Sequence, residues 1–257
     1  PGSAVAPLYQ NGRLSKPKYD YTFITTTVMS NFHKTFGDFD THLMLGTTSE
    51  NTKTSSQVHW GYNFVTAGTI SFNNISTDNK FFNDATGRKR LVGAYGEAGI
   101  SYKNIVFLTA TGRNDWSSTL SKANQSFFYP SVSLSSVISD YFKLPAQIDF
   151  VKLYSSWASV SSDLDPYSIA ATYKKDVTYG STPSVTYPAG IINPDILPQQ
   201  SISLEIGASM AFFKNRLSAD VTYYNVVDKN QIIDLSISQA SAFTSRKVNG
   251  NKYRTKG

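Results

Sequence analysis

The stretch SISLEIGASMAFFKNRLSADVTYYNVV, residues 201–227, alternates with a period of two. Ile202, Leu204, Ile206, Ala208, Met210 and Phe212 occupy every even position. Between them stand Ser201, Ser203, Glu205, Gly207, Ser209 and Ala211, all small or polar. Successive side chains of a strand point to opposite faces, so this is a strand with one apolar and one wet face. At the roughly 100° per residue of a helix the same apolar residues scatter around the cylinder, so helix is a poor reading. After Phe213–Arg216 the pattern restarts in the other phase, with Leu217, Ala219, Val221 and Tyr223 against Ser218, Asp220 and Thr222. The two halves form a long antiparallel hairpin. Its apolar side faces either a second sheet or lipid.

The same plan recurs along the chain. Residues 19–50 read as two strands about Gly37-Asp38, with Phe39, Thr41, Leu43 and Leu45 on one face of the second. Residues 90–115 read as two more about Lys103-Asn104, where Val92, Ala94, Gly96, Ala98 and Ile100 alternate with Gly93, Tyr95, Glu97, Gly99 and Ser101. Further strands cover 127–138, 150–159, 232–237 and the closing NKYRTKG, which makes nine or ten in all. No helix of ordinary length is expected.

Composition narrows the choice of solvent. Only 16% of the residues are charged, against about 25% in a typical soluble domain. Aromatics are plentiful, with 16 Tyr, 16 Phe and 3 Trp. No apolar run approaches the ~18 residues of a spanning helix, but in a lipid-facing barrel only alternate residues touch lipid. The net charge of +6 is scattered rather than gathered in a stripe, which argues against nucleic acid as a partner.

Loop lengths point the same way. Short turns at 36–38, 102–104 and 213–216 alternate with long connections at about 51–85, 117–126 and 161–198. One rim is therefore tight and the other carries long loops, the layout of outer-membrane barrels. Aromatic residues near strand ends, such as Phe36, Phe39, Tyr141, Phe142, Phe212 and Phe213, suit interfacial girdles; a sandwich core rich in Phe is the bland alternative. The expected fold is all-β, part of a large antiparallel up-and-down transmembrane β-barrel. On that reading Ile202, Leu204, Ile206, Met210, Phe212, Leu217 and Val221 face lipid, and Tyr95, Glu97, Lys152, Tyr154, Glu205 and Asp220 face the lumen.

Enzyme signatures do not emerge. The chain has no cysteine, no Gly-x-Ser-x-Gly and no phosphate loop, and His33, His42 and His59 lack partners at metal-ligand spacing. We expect no catalysis, no metal and no cofactor. Arg113 and Asp115 close a strand where a rim begins, and either bind substrate or form a structural ion pair. The long loops carry Trp60, Tyr62, Trp116, Tyr167, Tyr173 and Tyr179 among amides and hydroxyls. Aromatic faces stack on sugar rings while polar neighbours bond hydroxyls, so these residues are candidates for a glycan, or equally for a peptide.

From about residue 90 to 227 the chain resembles the SusC/RagA-like TonB-linked outer-membrane transporters of Bacteroidetes. The resemblance rests on ISYKNIVFLTATGRNDWSS (100–118), FFYPSVSLSSVISDYFKLP (127–145), IDFVKLYSSWASVSSD (148–163) and the stretch from Ile192 through the hairpin. The family's Arg-x-Asp-x-Ser-Ser maps to Arg113, Asp115, Ser117 and Ser118, and its Phe-Pro-Ser to Tyr129, Pro130 and Ser131. Its Lys-Leu-x-x-Ser maps to Lys152, Leu153 and Ser156, its Asn-Pro-x-Leu to Asn193, Pro194 and Leu197, and its hairpin turn to Phe212, Phe213, Asn215, Arg216 and Leu217. Tyr129 replaces the usual Phe, and Leu197 falls one residue late.

The resemblance implies an active importer of glycans or peptides in the bacterial outer membrane. It implies a SusD-like surface lipoprotein over the long loops, and TonB as the energy donor through regions not in this chain. Such transporters resemble 22-stranded plugged barrels, which nine or ten strands cannot close. The expectation is a partial TonB-dependent receptor β-barrel domain over residues 1–257, with plug domain, signal peptide and C-terminal strands absent from this chain. The competing classes are a soluble or surface-anchored β-sandwich that binds sugars or serves adhesion, and a passive porin-like barrel.

Overall fold

The computed structural model describes residues 11–170, 172–175, 178, 180 and 182–257. The chain divides into two compact units. One runs up to Ile24 and takes in Asn51–Lys89; the other comprises Thr25–Glu50 and Arg90–Gly257.

Nine strands share one sheet. In chain order they are β1 (Arg13–Phe36), β2 (Phe39–Tyr62), β3 (Lys80–Tyr102), β4 (Val106–Ser117), β5 (Ser126–Val137), β6 (Ile148–Ser162), β10 (Gln199–Phe212), β11 (Leu217–Lys229) and β14 (Tyr253–Lys256), and they stand in that order side by side. Each neighbour pair from β3 onward is antiparallel. The sheet is therefore an up-and-down meander, as the alternation required. A membrane strand needs about 9–11 tilted residues; β4, β5, β6, β10 and β11 have 12, 12, 15, 14 and 13.

Register decides which residues share a face. One row runs Ile100, Leu108, Leu134, Ser155, Ile206, Tyr223 across six strands, and a row three residues away, on the opposite face, runs Glu97, Thr111, Ser131, Ala158, Ser203, Val226. The expected lipid-facing set (Ile202, Leu204, Ile206, Met210, Phe212, Leu217, Val221) occupies one face and the expected lumenal set (Tyr95, Glu97, Lys152, Tyr154, Glu205, Asp220) the other. Burial is the inverse of a soluble protein. In these strands the buried positions are Thr48, Gly93, Gly99, Asp115, Ser117, Ser159 and Gly207 within the second unit, while Ile206 is 51% and Val221 64% exposed. No second sheet covers the apolar face among the described residues of this unit, so the sandwich loses its core.

The short turns are built from left-handed residues. Lys103 and Asn104 have φ of 52° and 57°, and Phe213, Lys214 and Asn215 have 58°, 59° and 60°. Each non-glycine residue in this region costs roughly 1–2 kcal/mol. At 213–215 the cost is offset by three bonds: the Phe213 N–H donates to Gln147 O (2.9 Å), the Asn215 N–H to the Asp149 carboxylate (3.0 Å) and the Arg216 N–H to Phe212 O (3.1 Å).

Apolar burial sits outside the sheet. Among the described residues of the second unit, Leu120, Leu164 and Ile196 are buried together, with Phe127, Ile169 and Ile232 packed against them. Beside this cluster a three-stranded sheet orders β12 (Gln231–Ser236), β13 (Ser245–Gly250) and β9 (Gly190–Ile191), with β13 and β9 parallel. Two-residue strands β7 (Lys174–Lys175) and β8 (Val185–Thr186) pair nearby in sequence. Residues 232–237, expected in the main sheet, belong instead to β12 and this loop structure. Their apolar run packs on the loop cluster, which a sequence pattern cannot distinguish from a wall.

The first unit also corrects an expectation. Residues 51–85 were expected to be mostly a long connection, yet β2 continues to Tyr62 and β3 begins at Lys80. Both faces are polar over SENTKTSSQ (49–57), so no alternation marks the strand. The remaining loop closes on buried Ile75. Asn74 holds it, donating to Thr66 O (2.7 Å) and Thr69 O (2.6 Å) and accepting from the Thr66 N–H (2.9 Å).

Candidate functional site

The polar face of the main sheet carries a connected set of side chains in the second unit. Cross-strand pairing sets Tyr95 opposite Arg113 and Arg113 opposite Tyr129. The Arg113 guanidinium donates to Asp115 at 2.8 Å and lies 5.6 Å from the Tyr95 ring centroid. The Tyr129 hydroxyl donates to the other oxygen of the same carboxylate. Asp115 is buried with both oxygens engaged, whereas Arg113 retains 29% of its side-chain exposure. Toward the short turns, His42 Nε2 lies 3.1 Å from Glu97 and Thr111 bonds Ser131 at 2.6 Å. Met44, Tyr95, Glu97, Arg113, Tyr129 and Val160 line a 350 Å³ depression on this face.

Glycines make room for the large side chains of this face. A Cβ on Gly46 would collide with the Tyr95 ring, and one on Gly207 with the Tyr154 ring. Tyr95 and Tyr154 therefore lie flat across the neighbouring strand. Tyr154 is held there by Thr222 at 2.5 Å, and Ser209 donates to Asp220 in the next strand pair.

Beyond Asp115, the Arg-x-Asp-x-Ser-Ser motif forms a clasp. Ser117 is buried, donates to Asp163 and accepts from the Thr119 N–H (3.2 Å). Ser118 Oγ accepts from the Arg90 N–H and its own N–H donates to Arg90 O, both at 2.9 Å. The motif thus ties the top of β4 to β3 and to the loop after β6.

The loops of the second unit are welded by side chains as well as by strands. Asn249 donates to Leu197 O (2.9 Å) and Asn230 O (3.0 Å) and accepts from the Leu197 N–H (2.8 Å). Asn124 donates to Ile196 O (3.3 Å), and Thr244 donates twice to Ala189 O, at 2.8 and 3.0 Å. In this body Tyr173, Tyr187, Pro188, Ile191, Ile192 and Phe243 line a 270 Å³ pocket, with no charged side chain in its wall among the described residues. The rings of Tyr173 and Tyr187 meet edge-on at 5.0 Å, and the hydrogen bond to Tyr187 raises the Tyr173 pKa above its ordinary value.

The candidate binding residues are placed apart. Trp60 and Tyr62 lie in β2 rather than a loop, in the first unit, where Phe81 stacks on Trp60 at 4.2 Å and Arg13 lies 5.0 Å from the Trp60 ring centroid. Arg113 and Asp115 lie near the end of β4, where a strand end was expected, and Trp116 lies in the same strand rather than in a loop. Trp116 opposes Val92 and Ser126 and so shares the apolar face, away from Arg113 and Asp115. These placements correct the loop assignment: the strands run on past the apolar band, where a polar, aromatic sequence reads as loop. Tyr167 is an exposed loop residue, Tyr173 lines the pocket, and Tyr179 lies outside the described residues. Phe81, Asp163, Phe243 and Asn249 carry no signal in the sequence, since their partners are distant along the chain.

Residues 5–257 match the family model described as "TonB dependent receptor-like, beta-barrel". Among curated relatives, the TonB-dependent receptor P26 of Formosa agariphila is 27% identical over 205 residues, covering 75% of this chain and 20% of the relative. The TonB-dependent receptor P39 of the same organism is 26% identical over 240 residues, covering 88% and 22%. The chain thus spans about a fifth of the length of these relatives. Among solved structures, the RagAB peptide transporter superposes with a TM-score of 0.86 at 17% identity, covering 95% of this chain and 28% of that one. The RagAB peptide importer in its "open-open" state gives 0.79 at 17% identity, covering 94% and 27%. The antiparallel meander, its two-faced register and these likenesses agree: the chain belongs to the TonB dependent receptor-like β-barrel family of transporters and receptors, and its place is the bacterial outer membrane.

Proposed function

We propose that the chain forms wall and extracellular loops of a TonB-dependent active importer. The observation that carries this reading is the sheet with an uncovered apolar face and a hydrogen-bonded polar face. On it, Ile202, Leu204, Ile206, Met210, Phe212, Leu217 and Val221 meet lipid, while Tyr95, Glu97, Lys152, Tyr154, Glu205 and Asp220 line the lumen. A plug domain and further strands elsewhere in the full-length protein complete the barrel, TonB energises it through the plug, and a SusD-like lipoprotein covers the loop body. Relatives four to five times the length of this match support that arrangement.

For the solute we favour a peptide over a glycan. A sugar ring needs hydrogen-bond partners for several hydroxyls, while the Tyr173–Tyr187–Phe243 pocket is mostly apolar and suits one large apolar side chain. Arg113, paired with Asp115, lends the lumen a partly exposed guanidinium, and Trp60, Tyr62 and Tyr167 remain exposed or half-buried ring surfaces for contact. The test is uptake of labelled peptides and oligosaccharides by cells carrying the full-length receptor, with and without TonB. TonB-dependent peptide uptake that falls about tenfold in Tyr187→Ala supports the reading. Uptake that persists without TonB would remove the importer, and oligosaccharide uptake alone would remove the peptide.

A further inference from the structure

On the polar face of the second unit, one cation is held so that part of it faces open space. Buried Asp115 accepts the Arg113 Nε–H on one oxygen at 2.8 Å and the Tyr129 hydroxyl on the other. Arg113 is thereby tied to Asp115 through Nε, and its Nη end borders the 350 Å³ depression. The guanidinium lies flat across β3: a Cβ on Gly93 would stand 2.7 Å from one Nη, and the Tyr95 ring centroid is 5.6 Å away. Glu97, the other carboxylate in the wall of the depression, is turned to His42 at 3.1 Å. Among the described residues no second carboxylate pairs with Arg113. Its strand is interior, flanked by β3 and β5.

The depression is mixed in character. Met44, Tyr95 and Val160 give it an apolar wall, and Val160 is 57% exposed on a face that is otherwise mostly polar. Its volume stands at the low end of small-ligand pockets, about 300–1,000 Å³, which suits one residue rather than a folded segment. A guanidinium and an apolar wall in one small depression match a carboxylate and an apolar side chain carried on the same carbon. We infer that this depression binds the C-terminal residue of an imported peptide, Arg113 taking its free carboxylate and Met44 and Val160 its side chain. The inference rests on the reading that the solute is a peptide and that the polar face lines the lumen. The site is separate from the Tyr187 pocket of the loop body. Arg113 lies nearer the long-loop end of β4 than the short turn, and long loops mark the extracellular end of such a barrel, so an entering solute meets this part of the lumen first. Tyr129 is a positioning residue. Its hydroxyl holds the second Asp115 oxygen, which an Arg113 Nη would otherwise take in a two-pronged pair.

The experiment uses the full-length receptor in mild detergent and a library of octapeptides that end in leucine and contain no acidic residue. The library is made in two forms, with a C-terminal carboxylate or a carboxamide, and retained peptides are read by mass spectrometry. A heat-dependent gel shift establishes that each variant is folded. Wild type should retain the carboxylate form about tenfold better, the scale of one charge-assisted hydrogen bond. R113Q should bind the two forms alike. Removing one partner of a buried ion pair threatens folding, so V160D, at an exposed position with Arg113 and Asp115 intact, gives a second reading and should also lose the preference. Y129F should narrow the preference while binding the carboxamide form as wild type does, a split that a merely structural role would not produce. A preference that survives in both R113Q and V160D overturns the site. Equal binding of both forms by wild type, with R113Q lowering only the temperature of the gel shift, assigns Arg113 to contacts within the receptor; the inference then fails and the peptide reading stands. Retention of labelled oligosaccharides with neither peptide form bound overturns the peptide reading, and the inference with it.

Discussion

The wall strands and the loop body of the second unit are stabilised in opposite ways. From β4 to β11 the wall leaves Ile206 and Val221 exposed and buries glycine, serine and aspartate, so it holds together through its backbone ladder and, on the proposed reading, an apolar solvent. The loop body buries Leu120, Leu164 and Ile196 and ties its loops through Asn249, Asn124 and Asp163, as a water-soluble protein does. The difference teaches that an apolar residue has no fixed worth in this chain. Ile196 and Ile206 are ten residues apart, one at 0% and one at 51% exposure, and each is suited to a different surrounding.

Substitutions at these two positions test the contrast most strongly. Ile196→Asp places an unpaired carboxylate among Leu120 and Leu164 and is expected to cost upward of 4 kcal/mol, about the upper end for point mutations. Limited proteolysis should then cleave the loops while the barrel still shows its heat-dependent gel shift. Ile206→Arg should cost about 2–4 kcal/mol when the receptor folds into bilayers, the penalty of a lipid-facing cation near the midplane. A change within about 0.5 kcal/mol would mean that this face meets water.

Smaller effects sharpen the account of the polar face and the turns. Gly207→Val drives a branched side chain into the Tyr154 ring and should cost about 1–3 kcal/mol; adding Tyr154→Ala should restore much of it in a double-mutant cycle. Asn249→Ala removes three hydrogen bonds and should cost about 1–3 kcal/mol, seen as faster amide exchange in β13 with the wall unchanged. The smallest effect concerns Lys103, whose pKa is raised by its hydrogen bond to Tyr102 and then by Asp38. Because the folded pKa is the higher one, its stabilisation is present below the unfolded value near 10.5 and fades as pH rises through the folded value. Lys103→Met should therefore differ slightly from wild type at pH 8 and converge with it as pH rises through the folded value, in denaturant titrations.

Wherever one face of a strand is apolar and the other wet, the period of two is written in the residues, and the hairpins about Gly37-Asp38, Lys103-Asn104 and 213–216 follow from it. The stretches SENTKTSSQ in β2 and NDATGRKR in β3 are polar on both faces and carry no period, so they read as loop. The segment 232–237 has an apolar run, but only its distant partners in 245–250 place it in the loop sheet rather than the wall. Arg113 and Asp115 were legible as a pair at a strand end. That Asp115 is closed off by Tyr129, and Ser117 by Asp163, depends on residues 14 and 46 positions away, which no local pattern encodes.

The central claim is that the Ile202 side of the hairpin meets lipid and the Ser201 side does not. Nitroxide labels placed singly at residues 202 to 210 of the full-length receptor in bilayers, read by lipid-soluble oxygen against a water-soluble nickel complex, test it directly. The account predicts oxygen accessibility that peaks at 202, 204, 206, 208 and 210 and falls at every odd position. Uniform accessibility, or nickel accessibility at the even positions, would contradict it.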